Sequence, residues 1–262
     1  MTKMLTSQMR RGALVLGCVA AVALVAGRPM VATLMAQDAL PKASELLAKS
    51  VAAMGGADAV KAIKSIRAKG TFEMPAQGMT GTFEMIQARP SLSKLTIEIG
   101  GVGSIEQGSD GKNAWTIDPM SGPSLLTGKA LADAKGEAMF DAQLFGPDFV
   151  KSATTLEKTK FGDRAAYKIK LVTVFDSERT MYVDAETYFV IGSESVQESP
   201  MGPMPSTGST GDYKKFGALM QPTTIVQSAM GFDQIVRVTS YEYDVVPMSA
   251  FEPPAAIKAL IK

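Results

Sequence analysis

Histidine is absent from all 262 residues, and Cys18 is the sole cysteine. Chemistry in this chain is therefore left to carboxylates, hydroxyls, amines and thioethers. Ser-His-Asp and Cys-His nucleophile systems are excluded, because no imidazole is present to take the proton. Zinc sites built on histidine or cysteine are excluded for the same want of ligands. Three carboxylates stand near one another in sequence: Glu106, Asp110 and Asp118. A glycosidase needs only two carboxyls at the right separation; the competing reading is acids scattered over turns and exposed strand faces. Met74, Met79, Met201 and Met204 offer the soft thioethers that suit Cu(I). With no His or Cys beside them they read instead as flexible apolar loop residues. Gly100-Gly101-Val102-Gly103 resembles the start of a dinucleotide loop, but the third glycine is missing and no helix follows. It reads as a hairpin turn. No metal or other cofactor is implied.

The elements that must position these groups begin after an export signal. Lys3, Arg10 and Arg11 precede an apolar run from Gly12 to Gly27, broken by Arg28-Pro29. A basic start, an apolar core and then small residues is the layout of a cleaved signal peptide. The run is shorter than the ~20 residues a membrane-spanning helix usually needs. Cleavage is placed after Ala36, giving a signal peptide at 1–36 and one domain at 37–262. Two further readings stay open: an uncleaved N-terminal anchor, and acylation at Cys18, although that cysteine sits inside the apolar run rather than at its end. The mature chain keeps 23 basic and 26 acidic residues, a formal charge of −3. A mildly acidic chain without a Lys/Arg cluster has no electrostatic reason to bind nucleic acid. No thiol remains, so the fold must hold through its core alone.

Residues 41–54 read as a helix, with Leu46, Leu47, Val51 and Met54 at helical spacing, and 57–64 as a second short one. From Ser65 the period changes to alternation. Strands are expected at 65–74, 82–85, 92–99, 103–107 and 112–118, separated by Gly, Pro, Asn or Asp as an antiparallel meander requires. An alanine-rich stretch at 128–145 predicts a helical insertion. Strands resume at 154–160, 164–173, 178–184, 187–197, 212–220, 222–229 and 234–246, with 199–211 read as a long mobile loop and 255–261 as a helical tail. The fold class is mostly β with α. It is expected to be a single unclosed antiparallel β-barrel of about 10–11 strands, with the leading helix and the helical insertion covering its concave face.

The mature chain holds twelve methionines and eleven phenylalanines, many on alternating strand faces. An open barrel cannot fill its concave face from strands alone, so either its own helices or a ligand must do so. Phe72 with Met74, Phe83 with Met85, and Leu95 with Ile97 share faces by alternation. Together with Trp115 they are the candidate walls of a lipid-binding cavity. Sheltering each methylene of an acyl chain contributes about 0.8 kcal/mol.

The stretch Ser109-Asp110-Gly111-Lys112-Asn113-Ala114-Trp115-Thr116-Ile117-Asp118-Pro119 is similar to a segment of the periplasmic lipoprotein-carrier and sorting family (LolA/LolB-like). Asp212-Tyr213, Phe216-Gly217, Leu219 and Pro222 resemble a second hairpin of that superfamily, and the helix before Gly55-Gly56 resembles its usual start. The resemblance runs over roughly 40–247. It implies an unclosed barrel capped by helices, a periplasmic location, and an acyl-chain cavity. The expected function is non-enzymatic: a monomer that binds a lipid or the acyl chains of a lipoprotein, with a membrane-associated protein as a further partner. The 128–145 insertion is the expected lid. A scaffold module whose barrel is plugged by its own helices is the second expectation, and a hydrolase using Asp110 or Asp118 the third.

Overall fold

The structure, a computed structural model, describes residues 39–199 and 202–261. The expected signal peptide at 1–36, with Cys18, lies outside the described residues, as does Met201.

Two helices lead: α1 (Ala43–Ala53) and α2 (Ala57–Ala62). In α1, Ala43, Leu46, Leu47, Ser50 and Val51 are buried, the stripe expected of an amphipathic helix packed on one side. A first meander follows: β1 (Ser65–Met74), β2 (Met79–Ala88), β3 (Leu92–Ile99), β4 (Gly103–Ser109), β5 (Ala114–Asp118) and β6 (Gly122–Leu125). The insertion holds α3 (Gly128–Ala138) and a 3-10 turn, Phe140–Leu144. The second meander is β7 (Val150–Phe161), β8 (Arg164–Thr173), β9 (Glu178–Asp184), β10 (Val190–Ser199) and β11 (Gly202–Gly211). A small hairpin, β12 (Lys214–Phe216) and β13 (Leu219–Gln221), leads to β14 (Thr224–Ala229) and β15 (Phe232–Tyr243). The tail adds a 3-10 turn, Met248–Phe251, and α4 (Ala255–Lys258).

Thirteen strands form one antiparallel sheet in the order β6-β5-β4-β3-β2-β1-β15-β14-β11-β10-β9-β8-β7. The two meanders are joined where β15 returns to pair with β1, Ile66 opposite Tyr243 and Phe72 opposite Val236. The edges β6 and β7 do not pair with each other, so the sheet is unclosed, as expected. Those edges are consecutive in the chain, and the insertion carrying α3 is the segment that runs from one to the other.

The strand count exceeds the expected 10–11. Strand β6, Gly-Pro-Ser-Leu, is too short for a period to show, and the 212–220 run breaks at Gly217 into β12 and β13. The expected loop at 199–211 is instead largely strand β11, paired with both β10 and β14. Its two prolines do not stop it, because pairing to β14 starts only at Ser206. Pro203 and Pro205 lie where β11 has β10 alone as neighbour, the edge-like setting a proline tolerates.

The helices fill one part of one face. Leu46 and Leu47 of α1 pack on Ile169, Leu171, Met181 and Val183, together with Phe149. Val60 of α2 and Ile63 just after it pack with Ile66, Phe140 and Leu219. The tail covers the opposite face of the first meander, where Val246 and Phe251 meet Ile86 and Ala88. Burying a side chain of this size contributes about 1.5–3 kcal/mol.

Candidate functional site

Residues directly opposite one another in an antiparallel pair share a face, so the register sorts the candidate wall residues. Phe83 stands opposite Ile97, and Met85 opposite Leu95; Met85 also faces Ala68 across β1. These side chains form an apolar strip with Ala68, Val238, Ile225, Val236 and Tyr241. Phe83, Ala68 and Val238 are buried within it, while Met85, Leu95, Ile97, Ile225 and Val236 stay only partly buried. The strip draws its members from strands alone, unlike the clusters under α1 and α2.

Phe72 lies on the same face as Phe83, since it pairs with Gly81 two residues along β2; it is buried. Met74 ends β1 opposite Met79, beyond the strip. Trp115 is separated from the other six. It pairs with Gly108, which pairs with Lys94, which pairs with Ile86, and Ile86 belongs to the face under the tail. Trp115 is fully buried there, its indole N–H donating to a Glu106 carboxylate oxygen at 3.0 Å. Its ring occupies the space above Gly108, where an added Cβ would come within 2.3 Å of it. The strip residues of β14 and β15 were not among the sequence candidates. Alternation marks them, but the return of β15 onto β1 links positions some 170 apart and leaves no local signal.

The insertion is tied down on both sides of the strip. Arg89, just after β2, donates from Nε to the Ile63 carbonyl (2.8 Å) and from Nη2 to the Val60 carbonyl (3.1 Å). Its Nη1 pairs with the Asp141 carboxylate, and its guanidinium sits 4.7 Å from the Phe140 ring centre. Toward the second meander, Ser177 donates to Asp133 of α3, and Gly136 lies against the Phe175 ring. A groove of ≈ 710 Å³ lies elsewhere, lined by Leu40, Leu47, Phe145 and the β7 edge from Val150 to Thr155.

The three acids weighed for catalysis organise turns and a side chain. Asp110 accepts from the Lys112 and Asn113 backbone N–H groups (2.9 and 2.6 Å) and from the Asn113 amide (3.0 Å). Burial alone would raise its pKa, but those donors outweigh it and hold the carboxyl below its ordinary value. Gly111 supplies the positive φ of this turn. Asp118 accepts from the Met120 and Ser121 backbone at 2.8 and 3.0 Å, and these bonds lower its pKa. Glu106 receives the Trp115 indole. Among the described residues, no group of three or more His, Cys, Asp or Glu side chains could hold a metal ion. No helix among them is long and apolar enough to cross a membrane.

The sequence matches no protein-family model, and no curated protein matches it significantly. Solved structures do share the fold. A LolA superfamily protein from Nitrosomonas europaea superposes with a TM-score of 0.55 at 15% identity, over 82% of this chain and 99% of that one. A DUF1329 family protein from Desulfovibrio piger gives 0.57 at 11% identity, over 81% and 98%. A putative outer membrane lipoprotein-sorting protein domain from Vibrio parahaemolyticus gives 0.50 at 11%, over 79% and 95%. The chain thus has distant structural similarity to LolA-like and lipoprotein-sorting proteins.

Proposed function

We propose that this chain is an exported, periplasmic, non-enzymatic carrier that holds a lipid, or the acyl chains of a lipoprotein, against the strip of β1–β3, β14 and β15. The observation that carries the reading is the strip itself: five large apolar side chains left partly open, with no helix side chain in their cluster. An unbranched hydrocarbon suits such a surface, since Met85 and its neighbours present flexible and branched apolar groups without a polar atom to fix orientation. The fold shared with a lipoprotein-sorting domain supports an acylated ligand, and the tethered insertion beside the strip supports a cover that moves for loading. The proposed wall set is Phe72, Phe83, Met85, Leu95 and Ile97, with Met74 at the end of β1 beyond the strip and Trp115 on the opposite face.

The helices that fill the β7–β9 side favour one other reading, a scaffold whose interior is already occupied. Mass spectrometry of an organic extract from mature protein, purified from periplasm without detergent, separates the two. Near-stoichiometric acyl species are expected. Leu95→Glu, at a partly open position that tolerates a polar group better than buried Phe83, should remove them while leaving circular dichroism and export unchanged. An extract free of lipid, with no uptake of added fatty acid, would leave the scaffold reading in place.

A further inference from the structure

The open sheet has two edges, β6 and β7, and the chain treats them differently. An uncovered edge strand offers its N–H and C=O groups to any extended segment that meets it, so folds blunt such edges with proline, bulges, charge or a covering element. Strand β6 spans four residues and contains Pro123, and α4 packs against it. Strand β7 spans twelve residues without a proline. Two bulges bracket one stretch of it. The register with β8 shifts between Val150 and Ser152 and again between Thr155 and Glu157, and runs evenly from Ser152 to Thr155. Within that stretch every second residue turns its N–H and C=O away from β8.

The ≈ 710 Å³ groove lies along this stretch. Six consecutive residues of β7, 150–155, line it, so the strand presents its edge to the groove and not one face alone. Across from them stand the start of α1 and the 144–145 turn, with Leu40, Leu47 and Phe145 as an apolar floor. The Thr155 hydroxyl donates to the Pro41 carbonyl at 2.7 Å and fixes the chain before α1 beside the end of the stretch. The lining includes two lysines, Lys42 and Lys151, and no acid. Lys42 is exposed, and its side chain makes no capping bond to α1. Lys151 is shared with Asp176, but both side chains are exposed, and such a pair contributes little.

We propose that the Ser152–Thr155 edge takes up an extended, acidic segment of a partner polypeptide as one more strand. Its alternate apolar side chains rest on Leu40, Leu47 and Phe145, and its carboxylates face Lys42 and Lys151. Three observations select that occupant. A run of uncovered backbone calls for a ligand that brings N–H and C=O groups at strand spacing, which a hydrocarbon chain does not. The charge of the lining is of one sign. The bulges leave only a few residues in even register, which suits a short segment and works against two copies pairing along whole β7 strands. The groove shares no residue with the strip of β1–β3, β14 and β15, so the proposal goes beyond the carrier reading and does not rest on it.

The test uses mature protein purified from periplasm and a fluorescein-labelled peptide, Glu-Val-Asp-Val-Glu-Val. Fluorescence anisotropy should show saturable binding, and amide hydrogen exchange read by mass spectrometry should slow across 150–156 when the peptide is present. A peptide with lysine in place of each acid should bind at least about tenfold more weakly. So should one N-methylated on alternate backbone amides, since it keeps the side chains and loses the ladder hydrogen bonds. Lys42→Glu should weaken the acidic peptide about fivefold and strengthen the lysine peptide. Its circular dichroism should be unchanged, because a carboxylate at the start of α1 suits the helix dipole. Leu95→Glu should bind the acidic peptide as wild type does. No saturable binding, equal affinity for the acidic and lysine peptides, full binding of the N-methylated one, or exchange across 150–156 that stays fast in the bound state would each overturn the proposal. So would slow exchange there without peptide together with a dimer in sedimentation, which would assign the edge to a second copy.

Discussion

Removing the Arg89 guanidinium should loosen the seam between α2 and the insertion. Arg89→Met keeps the aliphatic stem and deletes the donors to Ile63 and Val60. The Val60 carbonyl lies in the last turn of α2, where it also accepts from the Ile63 N–H at 3.2 Å, and the Ile63 carbonyl follows the helix directly; the helix dipole favours a cation at this end. A hydrogen bond from a charged donor contributes about 1.5–3 kcal/mol. The Asp141 pair is a quarter to a half exposed and adds no more than about 1 kcal/mol, as does the contact with Phe140. These contributions share one group and do not sum fully, so a loss of about 3 kcal/mol is expected for Arg89→Met. Arg89→Lys should recover no more than about 1 kcal/mol of it, since an ammonium cannot reach three partners in one plane. Trp115, the only tryptophan, lies buried on the other face and reports global unfolding in urea without touching the clamp. The midpoint should fall while the denaturant slope stays fixed. A loss under about 1 kcal/mol for Arg89→Met, or full rescue by lysine, would refute the account of Arg89 as a three-way clamp.

Two further perturbations test the packing and the electrostatics of the sheet. Gly108→Val places a Cβ where the Trp115 ring already sits, 2.3 Å away; a loss of 2 kcal/mol or more, roughly the overpacking range, should accompany a red shift of Trp115 fluorescence. Asp184 is buried and accepts from the Thr187 backbone and hydroxyl at 2.7 and 2.8 Å, with Arg164 at 2.8 Å. Burial would raise its pKa, but the donors on Thr187 and Glu186 and the Arg164 charge hold it below 3.8. A carboxyl depressed in the folded state stabilises fully above its unfolded value of about 3.9 and loses that contribution as pH falls through the folded one. Asp184→Asn should therefore destabilise at pH 7 and show a smaller further loss on acidification below pH 4 than wild type; equal acid sensitivity in urea titrations at pH 7 and pH 3 would contradict this.

How much of the molecule was legible follows from what a local pattern encodes. Clean alternation marked Leu92–Ile99, Arg164–Thr173 and Glu178–Asp184 at the bounds the structure gives, because each is long enough for a period of two to show. The same alternation paired Phe83 with Met85 and Leu95 with Ile97. It gives faces relative to a neighbour in one strand and never says which face is inside. For Trp115 that choice depends on the registers of β3, β4 and β5 in series, and a shift of one residue in any of them inverts the answer. Composition misled at 202–211, where Ser, Pro and Gly suggest a loop but small side chains let β11 pair on both sides of its later half. Arg89 carried no sequence signal, since its partners Val60, Ile63 and Asp141 lie in elements that only folding brings to it.

The distribution of cover over the sheet explains why one strip is left open. α1 lies across β7–β9 and takes Ile169, Leu171, Met181 and Val183 out of water; the tail lies on the other side, over Ile86 and Ala88. Between them α2 and the 140–144 turn reach only the first residues of β1 and the last of β15, Ile66, Tyr241 and Tyr243. The middle of β2, β3, β14 and β15 has no helix assigned to it, and its apolar side chains are the ones that remain partly exposed. Polar residues at those positions would have left a sheet with one solvated face, the usual solution for an antiparallel sheet. Their retention as Met85, Leu95, Ile97, Ile225 and Val236 is the physical case for something apolar that comes and goes.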